Sequence, residues 1–193
     1  MGMATLPTSP LTEDQYLAIE RAAETKSEFH EGQMFAMSGG SRNHSRLSVR
    51  ICALFDRLLP GGCDTFNSDM RIKVVAADLY TYPDCSVVCG EPEFIGNRQD
   101  VLLNPLLIAE VLSPSTEAYD RGEKFEMYRM MPSFREYLLI RQDRRHVEYY
   151  SKQDDGSWLL REYSGAESTF AIARLGVQIA LGELYASALN LRA

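Results

Sequence analysis

The sequence predicts a single α+β domain in which a mixed central β-sheet is flanked by α-helices. The length of 193 residues is typical of one domain, and no repeat, low-complexity segment or linker divides residues 1–193. Apolar residues recur at helical spacing in some segments, whereas others are short continuous or alternating apolar runs. The order of these segments is a helix, a group of strands, a second helix and further strands, which favours the α+β class.

Helix signals occur in four places. A capping-box pattern at Thr12-Glu13-Asp14-Gln15 predicts a first helix that runs to about Ala22. After the Gly39-Gly40-Ser41 break, the helical spacing of apolar residues predicts a long amphipathic helix over 42–59. The remaining helices are expected at 119–131, where Pro132 stops the chain, and at 181–189.

Strand signals fill most of the remaining chain. Two hairpins are expected, one over 27–37 around Glu31-Gly32 and one around Asp154-Asp155-Gly156. The second hairpin joins strands 147–150 and 158–163. The other predicted strands are 63–67, 70–75, 84–89, 106–112, 135–140 and 177–180, and the polar segment 91–104 is predicted to be a surface loop.

Composition narrows the class of protein. A net charge of −7 argues against a protein that coats nucleic acid non-specifically, but it leaves room for a local, metal-dependent contact with DNA. No apolar stretch reaches the roughly 18 residues needed to cross a bilayer, and the amino terminus lacks the features of a secretory signal. We therefore expect a cytoplasmic protein.

The cysteine and histidine spacings predict no structural metal site. The four cysteines contain no CxxC pair, and Cys85 and Cys89 lie too far apart along one strand to form a disulfide. We expect all four cysteines to be buried, reduced thiols. The three histidines are scattered without zinc-like spacing.

Two acidic residues, Asp84 and Glu110, are the main candidates for chemistry. Glu110 interrupts the apolar run 106–112, where an ionised carboxylate is costly unless a cation or hydrogen-bond donors compensate it. Asp84 follows Pro83 at the beginning of another predicted strand. Carboxylates on neighbouring strands would form an oxygen-rich site suited to Mg²⁺ or Mn²⁺, which indicates a metal-dependent hydrolase. The structural alternatives are a turn cap for Asp84 and a salt bridge to an arginine for Glu110.

The predicted helix at 119–131 supplies a basic residue. Lys124 and Tyr128 are four residues apart and share one helical face, with Arg121 close to it and Asp120 in the position of a cap or first-turn acid. If this face turns toward Glu110, the site holds two carboxylates and an ammonium. Taken alone, Lys124 would most often be a solvated helix residue, and Tyr128 could be a ring packed on the sheet.

The order of these motifs resembles that of a known family. Pro83-Asp84 is followed by Glu110-Val111-Leu112-Ser113-Pro114-Ser115-Thr116, Asp120-Arg121-Gly122-Glu123-Lys124, Tyr128-Arg129, Pro132-Ser133 and Arg135-Glu136-Tyr137. This block is similar to the Uma-two family of restriction-endonuclease-like proteins, within the superfamily known by its PD-(D/E)XK motif. The similarity also takes in Glu28, Glu31-Gly32, His44 and Ser68-Asp69, and it spans about 12–187.

The resemblance implies a restriction-endonuclease-like core, dependence on Mg²⁺ or Mn²⁺, and hydrolysis of DNA. Asp84 and Glu110 would be metal ligands, and Glu28 resembles an extra acid that some members bring to the metal. The chain departs from the motif at Leu112, where the lysine two residues after Glu110 should stand. The resemblance implies that Lys124 replaces it. A surface position on a strand is the alternative for Glu28.

Two basic segments have no predicted site role. His44 lies near Arg42, Arg46 and Arg50 at the start of the long helix, and a solvated basic face is favoured over a phosphate contact. The cluster 141–145 could contact a DNA backbone or protect a hairpin edge.

The leading functional hypothesis is a Mg²⁺- or Mn²⁺-dependent DNA endonuclease with Asp84, Glu110 and Lys124 as catalytic residues and Glu28 as a third acid. A homodimer is expected by analogy, because cutting both strands of a duplex needs two sites. The competing hypotheses are a binding module of the same fold without catalysis, which the missing lysine at 112 favours, and a hydrolase of a small phosphoester.

Overall fold

The computed structural model describes residues 9–188 and Leu191, and it shows a mixture of helices and strands. The helices are α1 (Glu13–Ala22), α2 (Arg42–Leu58), α3 (Glu117–Arg121), α4 (Glu123–Tyr128) and α5 (Leu181–Leu184). The strands are β1 (Ser27–His30), β2 (Gln33–Ala36), β3 (Cys63–Asn67), β4 (Arg71–Val74), β5 (Leu79–Thr81), β6 (Cys85–Cys89), β7 (Val101–Leu102), β8 (Leu107–Leu112), β9 (Glu136–Arg141), β10 (His146–Lys152), β11 (Trp158–Ser164), β12 (Thr169–Ile172) and β13 (Val177–Ala180).

The strands form two large sheets and a small one. The six-stranded sheet has the order β11-β10-β9-β8-β6-β3, and it is mixed because β8 and β9 are parallel while its other pairs are antiparallel. The five-stranded sheet has the order β2-β1-β5-β4-β7, and β12 pairs with β13 alone. The predicted mixed sheet flanked by helices is confirmed.

The six-stranded sheet is covered on both faces. Alternate residues of β8 point to opposite sides, so that Leu107, Ala109 and Val111 join one apolar cluster and Ile108 and Leu112 join another. The first cluster also contains residues of α2, α5 and the β12–β13 pair. The second contains residues of α4 and of the five-stranded sheet. Because β8 is buried on both faces, its sequence is a continuous apolar run in which Glu110 is the exception.

Local sequence signals account for the helix starts. Thr12 and Gln15 form the predicted capping box at the start of α1, each side chain accepting from the other residue's backbone N–H. The side chain of Ser41 accepts from the His44 backbone N–H at 3.2 Å and caps α2. The apolar face of α2 packs into the core, as its spacing predicts.

Several boundaries differ from the sequence prediction. The helix predicted over 119–131 is two short helices, because the backbone at Gly122 leaves helical geometry (φ −104°, ψ −101°). The predicted helix over 181–189 ends at Leu184, and position 189 lies outside the described residues. Strands β5, β7 and β12 were not predicted; the first two are three and two residues long, too short to show a pattern.

The prediction of four reduced cysteines is wrong for two of them. Cys63 and Cys89 form a disulfide, whereas Cys52 and Cys85 are free thiols. The two bonded cysteines lie directly opposite each other where β3 pairs with β6, with their Cα atoms 4.0 Å apart. The spacing of cysteines along one strand excluded only a Cys85–Cys89 bond. A bond between two strands depends on which strands pair and in what register, and the spacing of cysteines does not show that.

Membrane insertion through a helix has no support in the described part of the chain. None of its helices combines the length and the apolar composition required to span a bilayer.

Candidate active site

A cavity of about 840 Å³ opens where β1, β2, the start of α2, the end of β8 and the α3–α4 segment meet. Its lining includes all four residues that the sequence singled out, Glu28, Asp84, Glu110 and Lys124. Glu28 lies on β1, Glu110 on β8 and Lys124 on α4, and Asp84 immediately precedes β6. The tertiary structure therefore brings these four predicted residues into one place.

Asp84 is held by donors from two elements. Its Oδ2 atom accepts from the Val111 backbone N–H at 2.8 Å, and its Oδ1 atom accepts from the Ser48 hydroxyl on α2 at 2.9 Å. In turn the Asp84 backbone N–H donates to Glu110 Oε2 at 3.2 Å. These bonds orient the carboxylate toward the end of β8. A residue that only capped a turn would not need donors from two other elements.

Glu110 is buried, with 5% of its surface exposed. Its Oε1 atom accepts from the Tyr128 hydroxyl at 2.8 Å and lies 3.0 Å from Lys124 Nζ. Burial, together with the nearby charges of Asp120 and Asp84, raises the pKa of Glu110 to about 8, although Lys124 opposes the shift. The expected alternative of a salt bridge to an arginine is wrong, because the partner is a lysine.

Lys124 is not a solvated helix residue. Only 6% of it is exposed, and its Nζ atom lies 3.0 Å from Glu110 Oε1, 3.2 Å from Glu28 Oε1 and 3.6 Å from Asp120 Oδ1. Burial alone would lower the pKa of Lys124, but the three carboxylates raise it above its usual value, so the ammonium stays charged.

Leu112 occupies the position where the superfamily motif has its lysine. It is two residues after Glu110 on β8 and therefore on the same face of the strand. Its side chain is buried in the apolar cluster that also contains Phe125 and Tyr128. Lys124 instead reaches Glu110 from α4, which is where the resemblance places the replacement.

Glu28 is half-buried rather than on the surface. It lies on β1, and the Thr81 hydroxyl donates to its Oε1 atom, the same atom that faces Lys124. The side chain is 15% exposed, so it can reach both the ammonium and the cavity.

Two cavity residues were missed by sequence analysis. Asp120 is 4% exposed, and burial raises its pKa. Its spacing of four residues from Lys124 was the signal that could have placed it beside the ammonium. His44 was expected on a solvated face; that expectation is wrong, because its Nε2 atom lies 3.3 Å from Asp84 Oδ2 inside the cavity. Only the docking of α2 against β6 and β8 decides which way that face points.

The donors of the cavity are of the type that hard divalent cations prefer. Glu28, Asp84, Glu110 and Asp120 place carboxylate oxygens around one cavity, and Lys124 is the ammonium among them. Lys124 faces three of these carboxylates, and burial, followed by the charges of Asp120 and Asp84, raises the pKa of Glu110. Oxygen ligands of this kind match Mg²⁺ or Mn²⁺ better than zinc.

A second group of ligating side chains lies on the β10–β11 hairpin. His146, Glu148 and Glu162 have potential ligand atoms within 4.8 Å of one another. Arg121 already donates to both oxygens of Glu148, at 2.6 to 3.1 Å, so the charge of this carboxylate is compensated by the protein itself. Arg121 thus points away from Lys124 rather than into the cavity.

Comparison with known proteins identifies the family. The family model for Uma2, whose description reads "Putative restriction endonuclease", matches residues 13–182. The chain belongs to the Uma2 family. The family predicted from the sequence is thereby confirmed.

Relatives of this Uma2 protein match it over nearly their whole length. An uncharacterized protein of Synechocystis sp. (strain ATCC 27184 / PCC 6803 / Kazusa) is 41% identical over 187 residues, covering 95% of this chain and 97% of the relative. A second uncharacterized protein of the same organism is 41% identical over 180 residues, covering 90% of this chain and 99% of the relative.

A solved structure confirms the fold. The crystal structure of "a putative nuclease belonging to DUF820" from Anabaena variabilis ATCC 29413 matches with a TM-score of 0.72 at 19% identity, covering 92% of this chain and 98% of that chain. The mixed sheet flanked by helices in the Uma2 protein is the restriction-endonuclease-like fold that the sequence predicted.

Proposed function

We propose that this protein is a metal-dependent endonuclease that hydrolyses phosphodiester bonds in DNA. The observation that carries the proposal is the position of Lys124, whose buried ammonium lies 3.0 Å from Glu110 and 3.2 Å from Glu28 at the cavity wall. A lysine beside buried carboxylates is an arrangement that suits metal-assisted phosphodiester hydrolysis, because it can stabilise the negative charge that develops on the phosphate.

In this proposal Asp84 and Glu110 hold a Mg²⁺ or Mn²⁺ ion, with Glu28 as a third acid. The ion, when bound, supplies charge compensation for the phosphate and lowers the pKa of a coordinated water. Lys124 orients the attacking water and stabilises negative charge that develops on the phosphate oxygens. The Tyr128 hydroxyl, which donates to Glu110 at 2.8 Å, keeps that carboxylate turned toward the cavity.

DNA as the substrate class is supported by the family description, which names a restriction endonuclease, and by the structural similarity to the Anabaena variabilis protein, which is described as a nuclease. The net charge of −7 is consistent with a contact limited to the metal and its surroundings. A duplex substrate would also require two sites, and hence the homodimer expected from the sequence. Sedimentation velocity in the presence and absence of duplex measures that state directly.

The experiment that tests the proposal is calorimetric titration of Mn²⁺ into the wild-type protein, Asp84→Asn and Glu110→Gln. We expect one class of site in the wild type and loss of binding in both variants, because each removes a charged ligand. Glu93→Gln, at an exposed loop carboxylate, is the matched control and should bind as the wild type does.

Cleavage of plasmid and single-stranded DNA is then measured with Mg²⁺ for the wild type and Lys124→Ala. Activity that needs the metal and is lost in Lys124→Ala supports the proposal. Metal binding without cleavage of any DNA would favour the small-phosphoester hydrolase. Absence of both metal binding and cleavage would favour a binding module.

A further inference from the structure

Phe35 and Met37 form an exposed apolar stripe, here called the β2 stripe, on one side of the cavity. Phe35 lies directly opposite Glu28 in the β1–β2 pairing, so both side chains are on the same face of the sheet. Met37 is two residues further along, and its backbone N–H donates to Lys26 O at 3.0 Å, which continues the extended pairing. Both residues line the cavity.

The β2 stripe is open to solvent. Phe35 is 50% exposed and Met37 is 38% exposed. All eight phenylalanines of the chain lie in the described residues, and the other seven are buried or half-buried. An aromatic ring that stays exposed beside a functional cavity presents a flat apolar face to whatever enters it.

The charge of the cavity limits how DNA can be held there. Its lining contains five carboxylates, Glu28, Asp84, Glu110, Asp120 and Asp143, against two permanent cations, Arg42 and Lys124. The ammonium of Lys124 is already surrounded by three of those carboxylates. Phosphate contacts normally dominate the affinity of nucleic-acid-binding proteins, so this lining offers little affinity apart from that of the proposed metal ion, and contacts with the bases would add to it.

The size of the cavity limits how much of a DNA strand can enter it. About 840 Å³ lies in the range of small-molecule sites, so only a short part of a strand fits inside. In a duplex, the faces of the bases are covered by their neighbours. Only an unpaired base can offer its face to an aromatic side chain.

We propose that the substrate is an unpaired stretch of DNA and that the β2 stripe is the platform on which its bases stack. This inference rests on the proposed function, because it names the substrate class for the same site. Stacking on Phe35 places a base next to Glu28, and hence places the adjoining phosphate near Asp84 and Glu110.

The experiment measures binding by fluorescence anisotropy with a labelled oligodeoxythymidine of about twelve nucleotides, in Ca²⁺ and in chelator. Phe35→Ala should weaken binding about fivefold to about a hundredfold, which is the usual effect of removing one stacking ring. Phe35→Tyr keeps the ring and should bind as the wild type does. Leu160→Ala, at an exposed apolar residue on β11 that does not line the cavity, is the matched control and should change nothing.

Two probes test the wild type without any substitution. The first probe is an oligonucleotide of the same length and charge with abasic sites, and the second is a duplex of the same sequence. The wild type should bind each of them about as weakly as Phe35→Ala binds the intact single strand. Equal affinity for single strand, duplex and abasic strand would overturn the proposal. So would wild-type affinity in Phe35→Ala, or no binding of the single strand at all.

The Mn²⁺ titration separates this inference from the proposed function. Phe35→Ala should bind Mn²⁺ as the wild type does, because Phe35 offers no ligand atom. Failure of the wild type to bind Mn²⁺, alongside intact Phe35-dependent binding of the single strand, would refute the metal-dependent endonuclease and leave the platform standing.

Discussion

The ammonium of Lys124 compensates the negative charge of several carboxylates. Its ammonium lies within 3.6 Å of carboxylate oxygens of Glu110, Glu28 and Asp120, and it is nearly inaccessible to water. Removing one partner of a buried ion pair leaves the remaining charges without compensation, and this is usually far more destabilising than losing a surface pair. The stability of the site and its proposed chemistry therefore depend on the same residue.

Lys124→Met should lower the free energy of unfolding by about 3 to 5 kcal/mol in chelator. A saturating concentration of Mn²⁺ should restore part of that loss, because a divalent cation compensates the same carboxylates. Urea denaturation with and without Mn²⁺ measures both effects. Lys152→Met, at a half-buried lysine at the end of β10, is the control. Equal losses in the two variants, or a loss that Mn²⁺ leaves unchanged, would contradict this prediction.

The raised pKa of Glu110 predicts how metal binding depends on pH. Without metal, burial holds the pKa of this carboxyl at about 8, above the ordinary value of 4.5. The folded protein therefore keeps a proton that the ion must displace, so Mn²⁺ affinity should rise about tenfold per pH unit below 8 and level off above it. Because the folded protein holds this proton more tightly than the unfolded chain does, protonated Glu110 stabilises the metal-free fold at low pH. That contribution is lost as the pH rises through about 8.

Calorimetry in two buffers of different ionisation enthalpy counts the protons released. Release of close to one proton per ion at pH 6.5, falling toward zero at about pH 9, is the expected result. Proton release close to zero at both pH values would show that Glu110 is already ionised in the metal-free protein.

At the scale of elements, the β1–β2 hairpin positions both Glu28 and Phe35. Its turn is formed by Glu31 and Gly32, whose φ angles are +47° and +81°. Positive φ at both turn residues favours glycine and matches the twist of the strands. A Cβ atom at Gly32 would also lie 2.5 Å from Pro10 Cβ, so the segment before α1 packs directly on this turn.

Gly32→Ala should lower the free energy of unfolding by about 1 to 3 kcal/mol, from the left-handed backbone and the overlap with Pro10 together. The urea unfolding midpoint measures it. Gly61→Ala, where a Cβ atom would meet nothing within 4 Å, should have little effect. A Gly32→Ala protein as stable as Gly61→Ala would show that the turn does not hold the hairpin in place.

Most elements were predictable because their signals are local. The capping box at Thr12, the Glu31-Gly32 turn and the apolar run around Glu110 each depend on neighbouring residues, and all three are found where expected. The break between α3 and α4 at Gly122 was not predicted, because a single glycine inside a helical pattern is tolerated at a cost and does not by itself mark a break.

For the whole molecule, the Cys63–Cys89 disulfide joins the edge strand β3 to β6, which begins next to Asp84. It closes a loop with a sequence separation of 26. Restricting the unfolded chain by a loop of that length contributes about 3.5 kcal/mol of stability. The bond therefore stabilises the sheet that carries the site.

Replacing both Cys63 and Cys89 by serine should lower the thermal unfolding midpoint, and a reductant should bring the wild type to a similar value. Differential scanning fluorimetry measures both. Cys52→Ser, at a free thiol, should leave the response to reductant unchanged. Titration of four free thiols in the purified, unfolded protein would show that the bond does not form.

The sequence by itself determined the fold class and the family, and it singled out Asp84, Glu110, Lys124 and Glu28 as candidates, since these inferences depend on local pattern and on the order of motifs. Only the tertiary structure decided which distant groups meet: the Cys63–Cys89 bond, and the contacts that His44 and Asp120 make inside the cavity. The physical reason is that strand pairing and helix docking are set by burial over the whole chain. A short segment specifies which face of an element is apolar, but the neighbours of its polar face depend on how every other element packs.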